Sequence, residues 1–243
     1  MSITGRAVPR WFTRLATAAK NCAATLLPQD CFLCAAPAGG ELLCPACATG
    51  LPYLGAERCP VCALPTPGSD ICGACLKQPP HFDATHAVFR YEAPLDSLIQ
   101  ALKYAHRLAS ADFLGSALAR IAAAPRPDLI VPVPLSPARL AERGFNQAVE
   151  IARPLARALG AALELDHIHR RRDTLPQASL PWRERAKNIR HAFECDLDLN
   201  GKTVLVIDDV MTTGATLDEL ARTLKAHGAS RVENCVLARA LKD

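Results

Sequence analysis

Eight cysteines in four Cys-x-x-Cys pairs constrain the fold of this chain more than any other feature. The pairs are Cys31/Cys34, Cys44/Cys47, Cys59/Cys62 and Cys72/Cys75, and a shift of 28 residues carries the first two onto the last two. The same offset carries Ala35 and Pro37 onto Ala63 and Pro65, and Leu43 and Ala46 onto Ile71 and Ala74. Four thiolates suit tetrahedral Zn²⁺, and a two-residue gap lets both sulfurs of a pair reach one ion. Segment 31–75 holds only four charged residues and two aromatics, too little material for a core without metal. The alternatives are a redox dithiol, which needs only one pair, or buried free cysteines. Each repeat carries a full ligand set, so two structural Zn²⁺ sites in sequence are expected. One is Cys31, Cys34, Cys44 and Cys47; the other is Cys59, Cys62, Cys72 and Cys75. A cross-braced arrangement, with pairs alternating between ions, is the alternative. Cys22, Cys195 and Cys235 remain, and read as small core residues.

The 243 residues, 50% hydrophobic and 21% charged, are enough to bury a core and too apolar for a disordered chain. No apolar run reaches the roughly 18 residues of a membrane span, and segment 15–27 lacks the apolar core of a secretory signal. The chain is therefore expected to be cytoplasmic, where cysteines hold metal in preference to disulfides.

Three regions are expected. Residues 1–28 read as an amphipathic helix, with Trp11, Leu15, Ala18, Cys22 and Leu26 on one face and Pro28 ending it. Residues 29–80 form the cysteine-rich region, and 81–243 the remainder. There, strands are expected at 84–91, 128–133, 161–168, 192–197, 203–207 and 231–239. Helices are expected at 95–105, 110–124, 146–159 (kinked at Pro154) and 213–227, with an irregular stretch over 170–190. Alternating strands and helices imply an α/β fold, an open parallel sheet with helices on both faces.

The most informative run is Val204-Leu-Val-Ile-Asp208-Asp209-Val-Met-Thr212-Thr213-Gly214-Ala215-Thr216. An apolar strand enters paired carboxylates, then a hydroxyl-rich turn that opens a helix. Such a turn aims backbone N–H groups and hydroxyls at a phosphate, with the helix dipole assisting. Carboxylates beside it accept hydrogen bonds from vicinal hydroxyls, so a phosphorylated sugar suits the pair. The plainer reading is an ordinary strand–turn–helix with aspartates near the cap.

This run resembles the 5-phosphoribosyl-1-pyrophosphate (PRPP) motif of type I phosphoribosyltransferases. The resemblance implies that Asp208 and Asp209 hold the ribose hydroxyls, that residues Thr212, Thr213, Gly214, Ala215 and Thr216 bind the 5′-phosphate, and that Mg²⁺ accompanies PRPP. Further runs are Val131-Pro-Val-Pro-Leu135, Arg139-Leu-Ala-Glu-Arg143-Gly-Phe-Asn146-Gln147, and Thr174, Gln177, Arg185 and Asn188. With the double cysteine repeat, they resemble the ComF family of competence-related proteins. That resemblance implies a phosphoribosyltransferase-like sheet domain behind a double zinc ribbon. Arg139 and Arg143 would meet pyrophosphate, and Thr174, Gln177, Arg185 and Asn188 would form a hood over the sugar. It also implies a part in uptake of single-stranded DNA, with a protein partner in the uptake machinery.

Residues 139–190 carry eleven Arg/Lys against six Asp/Glu, densest at Arg170-Arg171-Arg172, a patch suited to pyrophosphate or a DNA backbone. Thr212 stands where hypoxanthine-guanine enzymes carry an aspartate, so no general acid or base and no nucleobase follow. Three readings stay open: PRPP binding in service of DNA uptake, an active phosphoribosyltransferase with unknown acceptor, and a zinc-ribbon adaptor without catalysis. The seven histidines show no metal spacing.

Overall fold

The structure is a computed structural model that describes residues 29–104, 108–121, 127–171 and 189–241. The expected N-terminal helix, Cys22, and Arg172, Thr174, Gln177, Arg185 and Asn188 lie outside the described residues. The chain divides into two compact units, Met1–Leu51 and Pro52–Asp243.

In the first unit a turn carries Cys31 and Cys34, and helix α1 (Pro45–Thr49) carries Cys47. The second unit begins with the repeat of this motif, and the 28-residue offset holds in detail. The bridges Asp30–Pro37 and Arg58–Pro65 correspond. Ala35 and Ala63 both take φ 58°, and α2 (Gly73–Lys77) corresponds to α1. Alanine at positive φ is uncommon and costs energy, so each tight knuckle is held by its surroundings.

The remainder of the second unit is a five-stranded sheet built from β1 (Ala84–Arg90), β2 (Leu129–Pro132), β3 (Ala162–Leu163), β6 (Thr203–Met211) and β7 (Arg231–Arg239). Its order is β1-β7-β6-β2-β3, and every pairing is parallel. A separate antiparallel pair joins β4 (Ile168–Arg170) to β5 (Phe193–Cys195). The helices of this unit are α2, α3 (Leu95–Tyr104), α4 (Leu108–Ile121), α5 (Pro137–Arg143), α6 (Gln147–Leu159) and α7 (Ala215–Ala226).

Alternation along the strands sorts the two faces. Val204, Val206, Val232 and Val236 pack in one cluster with Leu217, Leu220, Ala221 and Leu224 of α7. Leu205, Ile207 and Leu237 point the other way and are equally buried, on the side where α4 packs against α6. Central strands covered on both faces need continuous apolar runs, which is why residues 204–207 show no polar alternation. Helices therefore cover both faces, as expected.

Several local expectations change. Segment 161–168 is not one strand: β3 ends at Leu163, and the chain turns before β4 pairs with β5. The cause is Glu164, whose Oε1 accepts from the backbone of Asp166 and His167 and bends the chain there. The stretch after β2 contains a helix, α5, closed by Gly144 in the left-handed conformation. The strand begun at Thr203 continues to Met211 because β7 pairs with it throughout. Helix α6 runs unbroken past Pro154, whose ring packs on Gly115 of α4: a Cβ on that glycine would lie 2.3 Å from Pro154 Cγ.

The second cysteine motif is built into this unit. Thr85 donates its backbone N–H to Pro60, Leu54 to Val88 and Arg90 to Pro52, so residues 52–60 cover β1, an edge strand that would otherwise expose its backbone.

Candidate functional site

The sheet order locates the site. From β2 the chain moves outward to β3; from β6 it moves the other way to β7. Parallel sheets bind ligands beyond the carboxyl ends of the strands where this reversal occurs, here between β2 and β6. Pro132 pairs with Ile207, so Asp208 follows at the level where β2 ends.

A cavity of about 530 Å³ opens there, with Asp208, Asp209, Thr212, Thr216, Arg139 and Arg143 in its wall. Tyr91, Gln100, Lys103, Asn146, Gln147 and Arg170 also line it. Arg139 and Arg143, four residues apart, share one face of α5. The corner that presents them is fixed by Asn146, whose side chain caps α6 by accepting from Ala148 N–H at 3.0 Å and donates to Val133 O at 3.0 Å.

The acidic pair is not electrostatically bare. Lys103 Nζ sits 2.7 Å from Asp209 Oδ2, with both side chains largely buried. Burial alone would push the ammonium down, but Asp209 and then Asp208 hold it above its ordinary value. Asp208 is half-buried and lines this cavity. Burial, then the neighbouring Asp209, pushes its carboxyl up to about 7, against the opposing pull of the Asp209 N–H, Lys103 and Arg170. Arg170 is 7% exposed, with its guanidinium carbon 5.8 Å from the Phe193 ring centre. It belongs to the cavity and not to an open basic surface. Arg171 is exposed and pairs with Glu194.

Between Met211 and α7 the turn behaves as its sequence suggests. Gly214 has φ 85°, Thr213 Oγ1 accepts from Ala215 N–H at 3.1 Å, and Asp218 N–H closes the first helical bond to Gly214 O. Thr212 and Thr216 face the acidic pair's cavity. Thr213, Gly214 and Ala215 line a second cavity of about 540 Å³, shared with Cys62, Cys75, Phe82 and Arg239.

Sequence reasoning passed over Lys103 and gave no role to Gln147. A lysine at 103 lies four residues after Ile99, on the buried stripe of α3, and that position already demanded an anionic partner. Gln147 is 2% exposed. Its amide oxygen accepts from Arg143 Nη1 at 2.9 Å, and its amide nitrogen has no partner among the described residues. A buried donor in a cavity wall is a site for a ligand oxygen.

Each cysteine quartet brings its four sulfurs within 4.8 Å of one another. Cys34 and Cys44 Sγ are 3.7 Å apart, and Cys62 and Cys72 Sγ 3.5 Å. Bonds of about 2.3 Å to a tetrahedral Zn²⁺ place sulfurs about 3.8 Å apart, so both quartets fit. The pairing is sequential, not cross-braced. Cys195 and Cys235 are buried in the core, and burial pushes the Cys235 thiol up to about 12, as for an unreactive packing residue. His86 meets Glu233 at 2.8 Å and His81 meets Asp218 at 3.0 Å.

Comparison with known proteins agrees with both halves. The double zinc ribbon domain model matches residues 22–76, and the phosphoribosyl transferase domain model matches residues 146–243. The chain is 36% identical over 208 residues to DNA utilization protein YhgH of Salmonella typhi, covering 82% of this chain and 85% of the relative. YhgH of Escherichia coli K12 is 35% identical over 212 residues, covering 83% and 86%. Competence protein F of Haemophilus influenzae is 33% identical over 177 residues, covering 67% and 76%. The chain belongs to the ComF/YhgH family. In this family member the acidic pair and the turn fall inside the phosphoribosyl transferase match, whereas Lys103, Arg139 and Arg143 precede it. Both cysteine quartets fall inside the ribbon match. Among the described residues no helix is long and apolar enough to cross a membrane.

Proposed function

We propose that this ComF/YhgH protein binds PRPP with Mg²⁺ in the cavity between β2 and β6, and that the site serves the handling of single-stranded DNA in the cytoplasm. The observation that carries the first half is the meeting of an acidic pair, a hydroxyl-rich turn and two arginines in one cavity at the reversal of strand order.

In this reading Asp208 and Asp209 accept hydrogen bonds from the ribose 2′- and 3′-hydroxyls. Thr212 and Thr216, which face this cavity, hold the 5′-phosphate by hydroxyls and by N–H groups at the start of α7, and Thr213, Gly214 and Ala215 shape the turn behind them. Arg139, Arg143 and the Gln147 amide donate to pyrophosphate oxygens. Mg²⁺ suits this donor set, since carboxylate and phosphate oxygens are hard ligands, and it would neutralise charge on the pyrophosphate. Should pyrophosphate depart from the anomeric carbon, the two carboxylates face the positive charge that develops on the sugar. Calorimetric titration with PRPP and Mg²⁺ tests this half. Saturable binding and a raised Tm are expected; no heat and no shift would remove it.

The DNA half rests on family membership and on the basic segment 139–190. Replacing Arg171 and Arg172 by Ala is expected to weaken binding of single-stranded DNA and flatten its salt dependence. Equal affinity at every salt concentration would count against a direct DNA contact. A docking role toward a protein of the uptake machinery has its own support, since Leu76 and Ile71 of the second ribbon are 67% and 43% exposed. Replacing both by Ser would then impair DNA uptake while leaving PRPP affinity unchanged.

A further inference from the structure

Arg239 ends β7, a strand otherwise apolar from Val236 onward, and it is 3% exposed. Its guanidinium is turned inward and spent on backbone carbonyls. Nε donates to Cys62 O at 2.8 Å. Nη1 donates to Met211 O at 2.9 Å, Thr212 O at 2.5 Å and Ala240 O at 2.7 Å. Cys62 belongs to the second metal quartet, and Met211 and Thr212 are the last strand residue and the first residue of the phosphate turn. One side chain thus grips the metal knuckle with one edge and the entry to the turn with the other.

The surroundings make this grip consequential. Cys62, Cys75, Thr213 and Gly214 line the cavity of about 540 Å³, while Cys62, Cys75, Phe82 and Met211 share one buried cluster beside it. Met211 O still accepts from Ala240 N–H at 3.0 Å, whereas Thr212 O lies past the last strand pairing and needs another donor. A planar guanidinium with a fixed fork holds several of them in one geometry, which a flexible ammonium does not. A metal held by Cys59, Cys62, Cys72 and Cys75 would order the knuckle, because so small a loop has little core of its own.

We infer that Arg239 is a positioning residue that ties the phosphate-binding turn to the second zinc ribbon, so that order in the turn depends on metal in the Cys59–Cys62–Cys72–Cys75 site. The inference rests on reading Thr212–Thr216 as the phosphate turn. It gives the second ribbon, which lies in the same compact unit as the turn, a duty toward the sugar-phosphate site.

The test measures hydrogen–deuterium exchange of residues 211–216 together with zinc content and PRPP affinity in the full chain. Cys72→Ser is expected to lose one zinc ion, speed exchange in the turn at least tenfold and weaken PRPP binding at least tenfold, while exchange in residues 204–207 stays slow. Cys44→Ser is expected to lose one zinc ion and leave the turn unchanged. Arg239→Met is expected to keep both ions yet loosen the turn as Cys72→Ser does, with Arg239→Lys intermediate. An unchanged turn in Cys72→Ser, or the same loosening in Cys44→Ser, overturns the inference. If Arg239→Met does not fold, the cysteine pair alone decides. If the unaltered chain fails to bind PRPP, the functional reading falls, and the exchange data still judge the tie.

Discussion

Lys103 Nζ and Asp209 Oδ2 meet at 2.7 Å, joining the buried stripe of α3 to the acidic pair at the end of β6. The lysine supplies positive charge where a cation–sugar complex would otherwise have to supply all of it. Replacing it should have two separable effects. Lys103→Met leaves Asp209 without its cation, and denaturant melts at pH 8 should show a loss of about 2–4 kcal/mol. The same variant removes a competitor for the carboxylates, so Mg²⁺ alone should bind more tightly by calorimetry. Unchanged Mg²⁺ affinity would mean that Lys103 and the metal do not share Asp209.

Lys103 also shows what the sequence conceals. The cysteine quartets were legible because metal ligation depends on spacing within about 17 residues, and a 28-residue repeat copies that spacing. The acidic pair and its turn were legible because strand, turn and helix are contiguous. The cavity's other wall was not. Lys103, Arg170 and Gln147 reach it from α3, β4 and the start of α6, and only the strand order brings those elements together. Helix α5 leaves no signal in the sequence because seven residues bounded by Pro137 and Gly144 are too short to show a period. Arg239 looked like the end of a strand, and nothing local announces that its guanidinium turns inward to Cys62.

The paired carboxylates give the sharpest test of the sugar site. Asp208→Asn and Asp209→Asn preserve shape but weaken acceptance from ribose hydroxyls and any hold on Mg²⁺. PRPP affinity should drop at least tenfold in each variant, equal to about 1.4 kcal/mol. Metal analysis should still return two zinc ions per chain, since no cysteine is touched. Full affinity in both variants would place the ligand elsewhere.

Packing between α4 and α6 makes a prediction about stability alone. Gly115 lies where a Cβ would come 2.3 Å from Pro154 Cγ and 2.8 Å from Ile151 O. A proline ring and a backbone carbonyl cannot swing aside as a long side chain can. Gly115→Ala should therefore cost about 1–3 kcal/mol by overpacking, despite alanine's better helix propensity. A thermal melt reads the loss directly. A variant as stable as the parent would show that the two helices are not in close contact at this position.

Asp208 makes stability and binding depend on pH in opposite senses. Burial raises its carboxyl from 3.8 to about 7 in the folded chain, so the folded state holds a proton that the unfolded state has released. Folding stability attributable to this group therefore falls as pH rises from about 4 to 7 and is level beyond. Asp208→Asn lacks the term. The Tm of Asp208→Asn minus that of the unaltered chain should be smallest near pH 4, climb through pH 6 and flatten by pH 8. Ligand binding runs the other way, because ribose hydroxyls and Mg²⁺ require the ionised carboxylate. PRPP affinity should rise from pH 6 to 7.5, and calorimetry below pH 7 in buffers of different ionisation enthalpy should register proton release. A Tm difference independent of pH, together with binding that releases no proton, would show Asp208 already ionised and the local field weaker than the burial around it implies.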